Sequence, residues 1–300
     1  DGDLILTSGH ASGITDSGTV TVGGNLTATT DANSGVINFG TLAVDGTVAL
    51  TTNGSGNATV VNDAGLNFAA STVGGALNAT ATTGNMTDSG ALTIAGTSSF
   101  TTSANNAYIS LNNTNALTGA VSLNTTGSAG GTSGDVELDN GTIALILAAS
   151  SVGGDMTVRT DSASGITDSG TVTVGRALYA ITDANNGVIN LDQLAVDMGI
   201  HLNTHGSGNA TAVNDVGFLF GGQASTVGGN LSVTATTGNI TDNDSGSVTV
   251  AGTSSFTTSA NNATILLNDT DHSFVGAVTI TTNDDSGTDA DVTIDGGTTA

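Results

Sequence analysis

Residues 12–39 read SGITDSGTVTVGGNLTATTDANSGVINF. Apolar and polar residues alternate in three short runs, through Ile14, then Val20 and Val22, then Leu26 and Ala28, before a new run opens at Ile37. Alternation with period two, rich in Thr and Val, predicts strands, and the Gly, Asn, Asp and Ser between the runs predict tight turns. Three short strands followed by a return to the same phase describe one coil of a parallel β-solenoid. No segment of the chain carries a helical period.

The phrase repeats. SGITDSG at 12–18 returns unchanged at 164–170, with reduced forms NMTDSG at 85–90 and NITDNDSG at 239–246. Segment 11–68 aligns without a gap with 163–220, an offset of 163 − 11 = 152 residues. AGTSSFTTSANNA at 95–107 reappears at 251–263. A weaker half-repeat lies inside, MTDSGALTI at 86–94 resembling ITDSGTVTV at 166–174, so that four units of about 75 residues follow an ABAB order. The first inward residue of each coil is read as Ile14, Ile37, Val61, Met86, Ile109, Val136, Ile166, Ile189, Val213, Ile240, Ile265 and Val292. The expected fold is all-β, a right-handed parallel β-helix with three short strands per coil and about twelve coils of about 25 residues. Residues 1–300 are expected to form a single continuous β-solenoid, with a tandem repeat at approximately 11–162 and 163–300.

The third run of the coils supplies inward pairs such as Leu26/Ala28, Val48/Leu50, Leu77/Ala79, Val121/Leu123, Ile200/Leu202 and Val278/Ile280. Just beyond these pairs stand Thr30, Thr52, Thr102, Thr125, Thr160, Thr182, Thr204, Thr258 and Thr282, a predicted corner column whose hydroxyls bond up and down the stack. TDSG is then a corner phrase: Asp and Ser accept backbone N–H bonds and Gly supplies a positive φ. Asp16, Asp88 and Asp168 fall in the register that Phe39, Leu111, Leu191 and Leu267 fill elsewhere.

Composition narrows the function. The chain has no Pro, Cys, Trp or Lys, one Glu (Glu137), two Arg (Arg159 and Arg176) and a formal charge of -24. Without clustered basic residues it lacks the means to neutralise phosphates, so nucleic acid is not an expected partner, and an anionic membrane surface repels it. No run of 18 apolar residues exists to cross a bilayer as a helix, so membrane insertion of this segment is not expected. The absence of Cys excludes disulfides and thiolate metal sites. The opening DGDLILTSGH starts inside the pattern without a leader, as a piece of a longer or processed chain does.

Candidate sites are few. NDDSGTDADVTIDGG at 283–297 gathers Asp284, Asp285, Asp289, Asp291 and Asp295, and TDNDSG adds Asp242 and Asp244; such oxygens suit calcium, although neither the G-G-x-G-x-D nonapeptide nor an EF-hand loop is present, and solvated turn Asp is the preferred reading. No resident cofactor or metal is expected. His201 and His205 invite comparison with a metal pair, but four strand residues span about 13 Å, and both are expected at the surface. An enzyme is not expected: the two Arg and few aromatics leave little to support the paired carboxylates of a carbohydrate-cleaving β-helix, and Phe39, Phe100 and Phe256 fall at inward positions. An ice-binding threonine face at Thr29, Thr51, Thr80, Thr101, Thr234, Thr257 and Thr281 is interrupted by Asn124, Arg159, Ile181 and Asn203. Asn-X-Ser/Thr triplets at Asn25, Asn57, Asn78, Asn85, Asn209, Asn239 and Asn262 match what composition alone produces.

The coil grammar GITDSGTVTVGGNLTATT…GVINFG and AGTSSFTTSANNA resembles the repeat regions of filamentous-haemagglutinin-like bacterial exoproteins, which carry right-handed β-helical shafts. That resemblance implies export across the outer membrane, an extracellular or cell-surface location, and a role in adhesion, biofilm or fibre formation. It carries over no catalytic residue. The expected function is a non-catalytic structural shaft of a surface fibre or large secreted adhesin. The alternative is a filament subunit that stacks end to end in an extracellular matrix or sheath. Expected partners are other copies or adjoining solenoid segments, and a host-cell or matrix surface. A binding tip should break the repeat, and only the extra residues near 126–135 and 217–223 do so.

Overall fold

The computed structural model describes residues 2–31, 33–127, 134–243, 246–283 and 290–297. Among these every secondary-structure element is a short strand, and every assigned strand pair is parallel in register, for example Leu4–Ser8 on Leu26–Thr30 and Leu77–Ala81 on Ser98–Asn105. The chain is a parallel β-solenoid of about 12 turns. It divides into two compact units, Asp1–Gly154 and Asp155–Ala300.

In the first unit two sheets face each other across the core. The rear sheet stacks Ile14, Ile37, Ala58, Leu77, Ser98, Val121 and Leu147 in one column. The front sheet stacks Leu4, Leu26, Val48 and Phe68. The rear column covers 147 − 14 = 133 residues in six steps, about 22 residues per turn. The second unit repeats the plan, with Ile166, Ile189, Ala210, Leu231, Ser254 and Val278 in its rear column and Met156, Leu178 and Ile200 in its front one.

The spacing of 25 residues expected from the sequence is therefore too long, and the reason is geometric. Ile14 and Met86 open the same phrase, yet Ile14 lies in the rear sheet and Met86 in the front sheet. Three full steps, Ile14 to Ile37 to Ala58 to Leu77, precede the half-coil that reaches Met86. The half-repeat is thus three and a half turns, and a reading that aligns its phrases as whole turns loses half a coil each time. The second unit shows the same slip, from Ile166 through Ile189, Ala210 and Leu231 to Ile240 in the front sheet.

Val278 and Val292, also expected inward, are exposed and Ile280 is half-buried, and two further positions change with the slip. Val61 and Val213 turn their side chains partly to solvent, while Val60 and Ala212 are 0% exposed and fill the core. The expected single third run divides as well: Leu26/Ala28, Val48/Leu50 and Ile200/Leu202 are in front strands, Leu77/Ala79, Val121/Leu123 and Val278/Ile280 in rear strands. Most coils hold three strands, and those opened by Ile37–Val44 and Ile189–Val196 hold two. Early in each unit two runs lie at the rear, as in Ile14–Thr15 and Val20–Val22, which merge into the single strand Ile37–Val44. Later two lie at the front, as in Leu66–Phe68 and Ser71–Val73.

The core is a narrow apolar stack with aromatic rungs. Phe68 meets Phe100 edge-on at 6.4 Å between ring centroids, and Phe220, Phe256 and Phe274 continue this in the second unit at 6.2 and 5.6 Å. Phe39, Phe100 and Phe256 are buried, as expected. Edge-to-face rings add to their burial energy because each ring's positive edge meets a negative face.

Candidate functional site

TDSG is a corner. Asp16 stands opposite Phe39, its Oδ1 accepting the Gly40 N–H at 3.1 Å and its Oδ2 the Thr41 N–H at 2.8 Å. Asp168 accepts from the Asp192 and Gln193 N–H groups in the same way, and Asp88 from Asn112 and Asn113. Each carboxylate serves backbone donors of the next coil where the ladder breaks, the role that Asp takes in turns. Gly13 before the phrase has φ 72°, and a Cβ there would lie 1.8 Å from the Val36 carbonyl oxygen, so only glycine fits.

The same corner carries different electrostatics in the two copies. Burial works to raise the Asp16 carboxyl, but the Thr41 and Gly40 donors outweigh it and hold the group below the usual carboxylate value. At Asp168 burial prevails over the Gln193 and Asp192 N–H groups, and the neighbouring Asp192 charge adds to it, so that carboxyl is raised. The first copy has Gly40 where the second has Asp192.

Buried side-chain amides take over where a run ends. Asn214 Oδ1 accepts the Val196 N–H at 2.8 Å, and its Nδ2 donates to the carbonyls of Val196 and Gly217 at 3.0 and 2.7 Å. Asn62 does the same for Val44 and Gly65. Asn115 receives the Leu92 N–H, and in the second unit His272 holds the equivalent place. Its Nδ1 accepts the Val248 N–H at 2.9 Å, so the ring proton sits on Nε2, 2.7 Å from Asp242 Oδ2. The corner threonines are buried from Thr30 to Thr258, but their hydroxyls mainly close their own turn, Thr30 onto Gly35 O and Thr182 onto Gly187 O. Contacts along the stack come from N–H groups above, such as Gly74 onto Thr52 and Gly228 onto Thr204. These threonines line two opposite corners, front for Thr30, Thr52, Thr160, Thr182 and Thr204, rear for Thr102, Thr125, Thr258 and Thr282.

The other candidates separate. His201 is buried at 3% exposure, not at the surface, with the Tyr179 ring 5.8 Å away between centroids; burial lowers its pKa against the opposing influence of the Gln223 and Ala224 backbone. His205 is exposed, so the two do not form a metal pair. Arg159 pairs with Asp183 at 2.7 Å and Arg176 with Asp155 at 3.2 Å. Asp284, Asp285, Asp289 and Asp244 of the calcium reading lie outside the described residues. Asp295 accepts the Gly297 N–H, Asp291 is exposed, and Asp242 is engaged with His272. Among the described residues no group of three or more His, Asp or Glu is placed to hold a metal ion. Of the threonine face, Thr29 and Thr51 lie in the front sheet and Thr80 and Thr101 in the rear, so they share no surface. Several Asn-X-Ser/Thr asparagines are wedges between coils: Asn57 Oδ1 accepts the Ala76 N–H, and Asn209 Oδ1 the Asn230 N–H.

Of the two irregular segments, residues 128–133 lie outside the described residues. The segment near 217–223 borders a shallow outer groove of about 390 Å³ lined by Asp197, Met198, Val216, Phe218 and Leu219. The first unit has an equivalent groove of about 390 Å³ at Asp45, Gly46, Ala64, Leu66 and Asn67. Sequence reading missed these grooves because they arise where the front sheet changes from one run to two. No helix of the described residues is long and apolar enough to cross a membrane.

The family described as repeats of unknown function, DUF5649, matches residues 55–124, 133–204 and 207–281. No curated protein and no solved structure matches the chain. Its matches begin 78 and 74 residues apart (133 − 55 and 207 − 133), which is the half-repeat. In the first unit, residue 55 precedes the rear strand Ala58–Asn62 and residue 133 the front strand Val136–Asp139, so successive family repeats start on opposite sheets. With three copies covering most of its length in a parallel β-solenoid, the chain belongs to the DUF5649 repeat family.

Proposed function

We propose that this chain is a length of structural shaft in an extracellular bacterial surface fibre or large secreted adhesin, and that it catalyses no reaction. The observation that carries the reading is the ladder itself. Within each unit coil follows coil in parallel register, with side-chain amides and carboxylates filling the places where a run stops. Such stacking makes each coil depend on its neighbours and produces stiffness along the stack. A charge of -24 with no Lys favours solubility and repulsion between like chains. The resemblance to filamentous-haemagglutinin-like exoproteins supplies the bacterial and extracellular part of the proposal.

The test has two parts. Antibodies against the 300-residue chain should label intact source cells or their shed fibres, and the native polypeptide should run under denaturing conditions at several hundred kilodaltons. Labelling only after cell lysis would overturn the extracellular assignment. A native mass near 28.9 kDa would overturn the shaft and leave a self-stacking subunit.

A further inference from the structure

The geometry points to the second-unit groove as a docking site for a basic, amphipathic peptide segment, one that brings Lys or Arg beside an apolar side chain. The two copies of the groove have diverged: the first keeps Tyr108 at its edge, and the second gains apolar residues along its floor. Gly46, Ala64, Leu66 and Asn67 of the first copy correspond, at the 152-residue offset, to Met198, Val216, Phe218 and Leu219. Each of these four changes adds apolar bulk, Phe218 within the core and Met198, Val216 and Leu219 toward the groove, while Asp45 and Asp197 hold the same place at the rim. The core does not require the added bulk: Met198 is 53% exposed and Val216 37% exposed. Large apolar side chains clustered at a concave surface mark interaction sites on soluble proteins.

The backbone accommodates this only in the second copy. A Cβ at Gly46 would lie 2.4 Å from the Gly24 carbonyl oxygen and 2.7 Å from Asn25 Oδ1. In the second copy Arg176 and Ala177 replace those two residues, and Met198 fits.

Charge selects the occupant. Asp197 and Asp215 are exposed beside the apolar floor, and the nearby Arg176 is paired with Asp155. A second copy of the chain would bring a further charge of -24 and no Lys, and nucleic acid or an anionic bilayer would bring more negative charge still. A basic segment meets complementary potential, its apolar residue filling the groove and its cation reaching Asp197.

The probes are a short synthetic peptide alternating lysine and leucine, and an all-lysine peptide of equal charge, titrated calorimetrically into the full chain at two salt concentrations. The lysine–leucine peptide should bind at one site per chain and more tightly than the all-lysine peptide. The triple variant Met198→Gly, Val216→Ala, Leu219→Asn restores the residues of the first copy and should weaken that binding about tenfold. Its circular dichroism should match the parent; should it misfold, Val216→Ala alone should still weaken binding measurably. Equal affinity for both peptides, or unchanged affinity in a folded variant, would overturn the proposal in favour of diffuse attraction to an acidic surface. Loss of self-association instead, seen by sedimentation of the variant alone, would overturn it in favour of a second copy.

Discussion

Asn214 spends all three of its side-chain hydrogen-bonding contacts on backbone groups of Val196 and Gly217, completely buried, where no strand is present to meet them. Asn214→Ala leaves the Val196 N–H and carbonyl without partners and should destabilise the second unit by about 3 kcal/mol, read as a shift in the urea midpoint. Ser98 and Ser254 show the opposite situation. They occupy the same inward position in the two units, and both hydroxyls are buried without a hydrogen bond. Ser98→Ala and Ser254→Ala should each stabilise by about 1 kcal/mol, because a desolvated hydroxyl is removed and nothing is left unpaired. An unchanged or lowered melting temperature in both variants would refute this. At this scale the alternation correctly placed Phe39, Phe100 and Phe256 inside. It did not show that Asn62, Asn214 and His272 are inside too, since their burial depends on backbone donors 18 to 24 residues away.

Corners and strands are the next scale. Asp16 has a folded pKa below its unfolded value, so the stability it contributes is present above the unfolded pKa and is lost as pH falls through the folded one. Asp168 has a raised folded pKa, so its charge opposes folding near neutral pH, and that opposition is relieved as pH falls through the raised value. Asp192→Gly recreates the first-copy corner and should lower the Asp168 pKa without bringing it to that of Asp16, because burial is the larger cause. A carboxyl-carbon NMR titration decides it. In the core, Phe256→Ala removes a ring that packs against both Phe220 and Phe274 and should cost about 3–5 kcal/mol by thermal unfolding. That the corner phrase is punctuation was legible from its Asp and Gly; which sheet each corner joins was not.

For the whole molecule, a ladder held by backbone and side-chain hydrogen bonds should be indifferent to chelation. With no group of three or more metal-binding side chains together among the described residues, excess EDTA should leave the β-sheet circular dichroism and melting temperature unchanged. Loss of signal would instead give calcium a structural role at the acidic segment 283–297. The family matches reach the same conclusion about organisation, since their spacing is the half-repeat and not the turn.

The sequence by itself determined the class of structure: period-two alternation, glycine and asparagine breaks and a 152-residue self-match admit little besides a stacked β-solenoid. It could not decide how many turns fill that repeat. Turn length is set by which backbone groups bond to which, and a phrase such as ITDSG closes a corner equally well on either sheet. Only the tertiary register, with Ile14 on Ile37 at the rear and Met86 on Leu66 at the front, reveals the half-turn slip. The buried asparagines and the outer grooves follow from that slip, because they lie where one sheet loses a run and the other gains it.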